Sequence, residues 1–111
     1  MRTHKMSDMV NGWFVGDFSP AVLQTNVCEA AVKQYVAGDQ EARHHHKVAV
    51  EITLIAEGQV LMNGQTYTKG DIIVIEPGES TDFQALRDTI TVVVKLPSVK
   101  GDKYSGEASD A

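Results

Sequence analysis

Short runs of Val, Ile, Phe and Tyr recur along this chain, each broken by Gly, Pro or Asn within a few residues. Trp13-Phe14-Val15-Gly16-Asp17-Phe18 reads as a short strand stopped by Ser19-Pro20. Residues 27–36 alternate loosely and carry Val27, Val32, Tyr35 and Val36, which suit a half-buried pleated surface. Residues 48–56 are rich in Val and Ile. Asn63-Gly64 then separates Val60-Leu61-Met62 from Gln65-Thr66-Tyr67, and both turn positions of such a dipeptide accept positive φ, so a tight hairpin is predicted. Lys69-Gly70-Asp71 turns the chain into Ile72-Ile73-Val74-Ile75, and Pro77-Gly78 turns it again. Thr89-Ile90-Thr91-Val92-Val93-Val94-Lys95-Leu96 is the last clear strand, ended by Pro97. No helical period lasts beyond about two turns. Closely spaced strands joined by such turns predict an all-β fold, an antiparallel barrel or sandwich. Residues 1–12 form an N-terminal arm, 13–97 the body, and 98–111 a polar tail, either docked on the surface or disordered.

Composition narrows the function classes. A chain of 111 residues has room for a single domain with one core. A net charge of −5, with no basic stripe or interleaved aromatic platform, argues against nucleic acid as a partner. No apolar run approaches the roughly 20 residues that a bilayer span requires. The start of the chain lacks the apolar stretch of a secretory signal, and a lone Cys28 forms no intrachain disulfide. A cytoplasmic protein is expected.

The densest chemistry lies in Arg43-His44-His45-His46-Lys47, which holds three of the four histidines. On a strand, His44 and His46 point one way and His45 the other. Two imidazoles on one face, with the Glu51 carboxylate returning on the next stretch, supply the raw material of a two-His-one-carboxylate metal site. His45 is expected at the rim or exposed.

Distances along the chain sharpen this pattern. Gly38, His44, His46, Glu51 and Gly58 stand at every fixed position of the first motif of the cupins, and the chain resembles a small single-domain member of that family. The second motif, over 70–85, is matched by Gly70 and Gly78. Glu76 stands where that motif has Pro, with Pro77 one place later; Thr81 stands where a fourth ligand, a His, is expected; Ala85 replaces an Asn. The resemblance spans 30–96. It implies a jelly-roll β-barrel with its site inside the barrel, and frequent homodimers. It does not choose among the family's activities, because a fold hosts many sites.

Neutral imidazoles with one carboxylate suit Fe, Mn, Ni, Co or Zn as the divalent metal. With Thr81 at the fourth position, three protein ligands remain, enough for facial-triad or catalytic-zinc chemistry. The other reading is a metal-free barrel in which the His pair packs or binds a ligand by hydrogen bonds. Candidates for proton transfer are Glu76, Asp82 and Tyr35. Asp82 would act as a substitute ligand if a bulge re-aims it, and otherwise faces outward or caps the Pro77-Gly78 turn. Glu76 and Glu79 flank a turn, where a carboxylate is normally solvated. Tyr35 shares a strand face with Lys33. Trp13, Phe14 and Phe18 are expected in the core or at a dimer contact.

Three functions follow as expectations. One is a metal-dependent enzyme acting on a small organic molecule, with sugar-derived substrates suggested by family analogy. Another is a binding module without turnover. The last is a metal-free isomerase or epimerase that uses the imidazoles as proton carriers.

Overall fold

The computed structural model describes residues 1–108; Ser109, Asp110 and Ala111, the end of the expected tail, lie outside the described residues. Apart from one 3-10 turn at Met6–Asp8, the regular structure of the described chain is all strand. Two sheets face each other. The larger contains β1 (Trp13–Gly16), β2 (Leu23–Gln24), β3 (Glu29–Tyr35), β5 (Val50–Glu57), β8 (Ile72–Ile75) and β10 (Thr89–Leu96), in the order β2-β1-β3-β10-β5-β8. The smaller contains β4 (Gln40–His45), β6 (Gln59–Met62), β7 (Gln65–Thr68), β9 (Ser80–Ala85) and β11 (Tyr104–Ser105), in the order β11-β4-β9-β6-β7. Apart from the β1–β2 pair, the pairings are antiparallel. The all-β jelly-roll expectation therefore holds.

Alternation decides what faces inward. Ala31, Val93 and Thr53 share one row across β3, β10 and β5 and are all buried. One step along, Thr91 pairs with Ile55, and both are almost fully buried. One step the other way from Thr53, toward the barrel mouth, Glu29, Lys95 and Glu51 share a row, so the period that buries Ile55 also turns Glu51 inward. The core joins the sheets through Ile55, Val60, Met62, Ile75, Phe83 and Ala85.

Turn chemistry behaves as the dipeptides predict. Asn63 (φ 49°) and Gly64 (φ 78°) both take positive φ in the two-residue link between β6 and β7. Gly58 has φ 98°, and a Cβ there would lie 2.5 Å from the Asp88 carbonyl oxygen, so a side chain is excluded.

The C-terminal segment does more than trail along the surface. Tyr104 and Ser105 add a strand to β4, opposite His45 and His44. Ser98 and Asp102 on the approach are buried.

Candidate metal centre

Two connected strands build the site. β4 presents His44, the chain turns through His46–Ala49, and β5 returns with Glu51. One ligand atom from each of His44, His46 and Glu51 lies within 4.8 Å of the others, close enough for one ion to bind all three. The two rings stand 5.3 Å apart and nearly perpendicular, so they converge without stacking. His44 Nδ1 is 3.1 Å from the Ala42 carbonyl oxygen. With its proton on Nδ1, that contact is a hydrogen bond that leaves Nε2 with its lone pair for a metal. Glu51 accepts a hydrogen bond from the Thr53 hydroxyl (3.2 Å). Burial holds His46 down at about 4, helped by the nearby Lys95 charge and by His44, so the ring is neutral near pH 7 and keeps its donor pair.

Thr81 lies across from His44 on β9 and is buried. Its hydroxyl donates to the backbone carbonyl of Asp82 (2.8 Å). Protein donors therefore occupy one side of the site and a small hydroxyl faces them. The donor set fits a divalent transition metal with open positions.

A register shift brings in a residue that alternation alone assigns to the wrong face. Glu41 pairs with Phe83 and His44 with Thr81, so β4 holds one more residue than β9 over that span. Glu41 and His44 consequently line the same inner cavity despite their odd spacing. Tyr35, on β3, donates its hydroxyl to Glu41 at 2.6 Å and packs its ring on Phe83. Burial, reinforced by the bond to Glu41 and by the Glu41 and Glu51 charges, pushes the Tyr35 hydroxyl well above the ordinary tyrosine range. Lys33 sits 3.9 Å from the other Glu41 oxygen. Glu41 escaped the sequence reading because nothing local marks the bulge.

Glu76 and Asp82 do not join this cluster. Asp82 points outward: it accepts from the Asn63 amide (2.8 Å) and pairs with Arg43 (3.3 Å). It thus caps the Asn63-Gly64 hairpin, not the Pro77-Gly78 turn. Glu76 is exposed, and its amide donates to Glu79 across the Pro77-Gly78 turn (2.8 Å). Both lie on the wrong side of the pleat or beyond the strand end, and no bulge in β9 re-aims them.

Two further expectations change. His45 faces away from its neighbours but is only 4% exposed. Its ring stacks on Tyr104 (5.5 Å), and Nδ1 lies 2.8 Å from the Gly106 carbonyl oxygen. The returning C-terminal segment covers what would otherwise be a rim. Trp13 and Phe18 line the mouth of the cavity beside His44 and Glu51, with the Lys95 ammonium 5.2 Å from the Trp13 ring. That mouth encloses about 380 Å³ and opens onto a smaller inner space of about 40 Å³.

No family model matches the sequence, and no curated protein does either. Solved structures do. A conserved protein with a double-stranded β-helix domain from Klebsiella pneumoniae superposes with a TM-score of 0.70 at 24% identity, over 78% of this chain and 76% of that one. A sugar phosphate isomerase of the cupin superfamily from Silicibacter pomeroyi gives 0.61 at 16% identity, over 69% and 54%. The chain therefore has the cupin fold, a double-stranded β-helix. A bacterial pirin from Escherichia coli in complex with nickel(II) shares the same barrel with a TM-score of 0.65 at 15% identity, over 79% of this chain and 39% of that one. In this barrel, His44 and Glu51 line the mouth cavity, and His46 converges on them from the turn that follows β4.

Proposed function

We propose that this cupin binds a divalent metal ion through His44, His46 and Glu51 and uses it to hold or transform a small organic molecule. The convergence of the three ligand atoms within 4.8 Å carries the reading. A mouth of about 380 Å³ is of the size that takes a small molecule. Bound there, the ion supplies Lewis-acid polarisation of a substrate oxygen. The chain's own residues do the rest. Trp13 offers an apolar wall to the ligand, and Tyr35 with Glu41 forms a hydroxyl–carboxylate pair able to take up or deliver a proton. Paired carboxylates and lysines beside an aromatic ring suit a polyhydroxylated, sugar-derived molecule. The sugar phosphate isomerase among the structural neighbours agrees with that choice.

The nickel(II) complex of the pirin neighbour supports a transition metal. The test is elemental analysis of untagged protein, purified without chelator and then offered Ni²⁺, Co²⁺, Mn²⁺, Fe²⁺ or Zn²⁺. One equivalent bound by wild type and lost in the His44→Ala, His46→Ala double variant supports the proposal. A folded wild-type chain that takes up none of these ions sinks it and leaves the metal-free binding or isomerase reading.

The outer face of the larger sheet supports assembly with a second copy. Val32, Val92, Leu54 and Ile72 form one row across four strands, and Ala30, Val94, Ile52 and Val74 form the next. Ile72 and Val74 are more than half exposed. A contiguous apolar face of this kind is normally covered, and a two-fold dimer buries it symmetrically. Among the described residues no helix is long and apolar enough to cross a membrane. A cytoplasmic location is part of the proposal.

A further inference from the structure

The turn His46–Ala49 has two ends with one purpose. One end is a candidate metal ligand, and Glu51, on the strand that follows, is another. How far apart and at what angle those groups stand depends on how firmly the turn is held. Lys47 and Val48 are exposed, so side-chain packing does little to anchor the middle of the turn. Asp102, which lies far along the chain, anchors it instead.

The Asp102 side chain enters the concave side of the turn. Oδ1 accepts from the amides of Lys47 (2.8 Å) and Val48 (3.3 Å). Oδ2 accepts from Val48 (3.2 Å) and Ala49 (2.9 Å). Three successive backbone N–H groups thus converge on one carboxylate, the arrangement in which a backbone cradles an anion. The residue is only 5% exposed. Burial pushes its acidity down, but the bonds from Ala49, Lys47 and Val48 outweigh this and hold the group below the usual carboxylate range.

The rest of the segment is sewn to the ligand strand itself. Ser105 pairs with His44 and Tyr104 with His45. The Gly106 amide donates to the Arg43 carbonyl (2.9 Å), and Lys47 places its ammonium 4.0 Å from the Tyr104 ring centroid. Upstream, Ser98 accepts from the Asp17 amide (2.9 Å) and donates to Glu29 (3.0 Å), which fixes the start of the segment at the barrel mouth. None of these contacts touches the metal position. All of them constrain the backbone that does.

We propose that Asp102 is a positioning residue for the metal centre: the C-terminal segment Ser98–Gly106 is part of the site, and its carboxylate holds the His46–Ala49 turn so that His44, His46 and Glu51 converge. The inference rests on the metal-binding reading. Asp102→Asn removes one acceptor and sets an amide N–H₂ against backbone donors, so the turn must shift. Asp102→Glu keeps the charge but lengthens the arm by one methylene.

The experiment is titration of the untagged full chain with Co²⁺ near neutral pH, read by calorimetry and by the visible absorption of bound Co²⁺, with a thermal melt on each metal-free variant. Asp102→Asn is expected to weaken Co²⁺ binding about 10- to 100-fold. Asp102→Glu is expected to weaken it at least about threefold. In both, the bound-Co²⁺ spectrum changes while the chain remains folded at the assay temperature. A purely stabilising role would lower the melting temperature without moving the spectrum. Wild-type affinity and spectrum in the folded variants overturn the inference. If Asp102→Asn does not fold, Asp102→Glu decides by the same criteria. A folded wild type that binds no Co²⁺ or other divalent ion removes the metal reading itself, and this inference with it.

Discussion

Thr81 lies directly opposite His44 on the paired strands β9 and β4, with its hydroxyl turned to the backbone carbonyl of Asp82. A paired position across two strands brings side chains into reach of a common point. Thr81→His is therefore expected to add a fourth ligand and to tighten binding of Ni²⁺ or Co²⁺ by at least about tenfold, a gain of about 1.4 kcal/mol. Competition calorimetry on wild type and variant checks this. Unchanged affinity would mean that the residue-81 side chain does not reach the ion.

Tyr35 and Glu41 are joined by a 2.6 Å hydrogen bond in the inner cavity. Tyr35→Phe leaves Glu41 with Lys33 alone, at 3.9 Å. Losing a hydrogen bond to a carboxylate costs about 1.5–3 kcal/mol, toward the lower end here because Glu41 retains some solvent contact. Urea unfolding measures that cost. Metal affinity is expected to stay within about threefold of wild type, because neither residue is among the converging ligands. Once a substrate is in hand, turnover is expected to fall at least about tenfold, within the range assigned to a positioned acid or base. A Tyr35→Phe variant with full turnover would remove the pair from the chemistry.

Acid is expected to weaken the metal-free protein. His46 titrates at about 4 in the folded state because burial disfavours its charged form, and near 6.5 when unfolded. Between these values the unfolded chain binds a proton that the folded chain does not. Stability is thus intact above about pH 6.5 and lost as pH falls toward 4, by no more than about 3.5 kcal/mol from this group. Asp102, held below its ordinary range, extends the loss to lower pH. Urea midpoints across this interval test the sign. His46→Gln should flatten the part of the curve above pH 4.

The apolar rows on the larger sheet predict a dimer. Replacing Ile72 and Val74 together by Lys adds two charges to a face whose paired rows are otherwise Val, Ala, Leu and Ile. Light scattering after gel filtration should give twice the chain mass for wild type and a single mass for the double variant, with metal affinity retained. A monomeric wild type would show that the face is not a self-association surface.

Much of the candidate site was legible in the sequence, for a local reason. His44, His46 and Glu51 sit on or beside two consecutive strands joined by a short turn, and strand periodicity sets the face of each. The Asn63-Gly64 hairpin was equally readable, because backbone sterics at two residues decide it. The roles given to Glu76 and Asp82 lay beyond such rules: the Asp82 carboxylate accepts from the Asn63 amide at the hairpin, and Glu76 is exposed at a turn held by its own amide and the Glu79 carboxylate.

The period-two pattern and its glycine punctuation settle the barrel, its inward rows and the pairing of two imidazoles with a carboxylate, since each depends on residues within one strand or one turn. Three things required the folded molecule. The bulge in β4 carries Glu41 to the inner face beside Tyr35. The returning C-terminal strand buries His45, which alternation alone left at the rim. Asp102 closes on a turn more than fifty residues earlier in the chain. Each depends on segments that meet only after the sheets assemble, and no local propensity records which distant backbone will supply the partner.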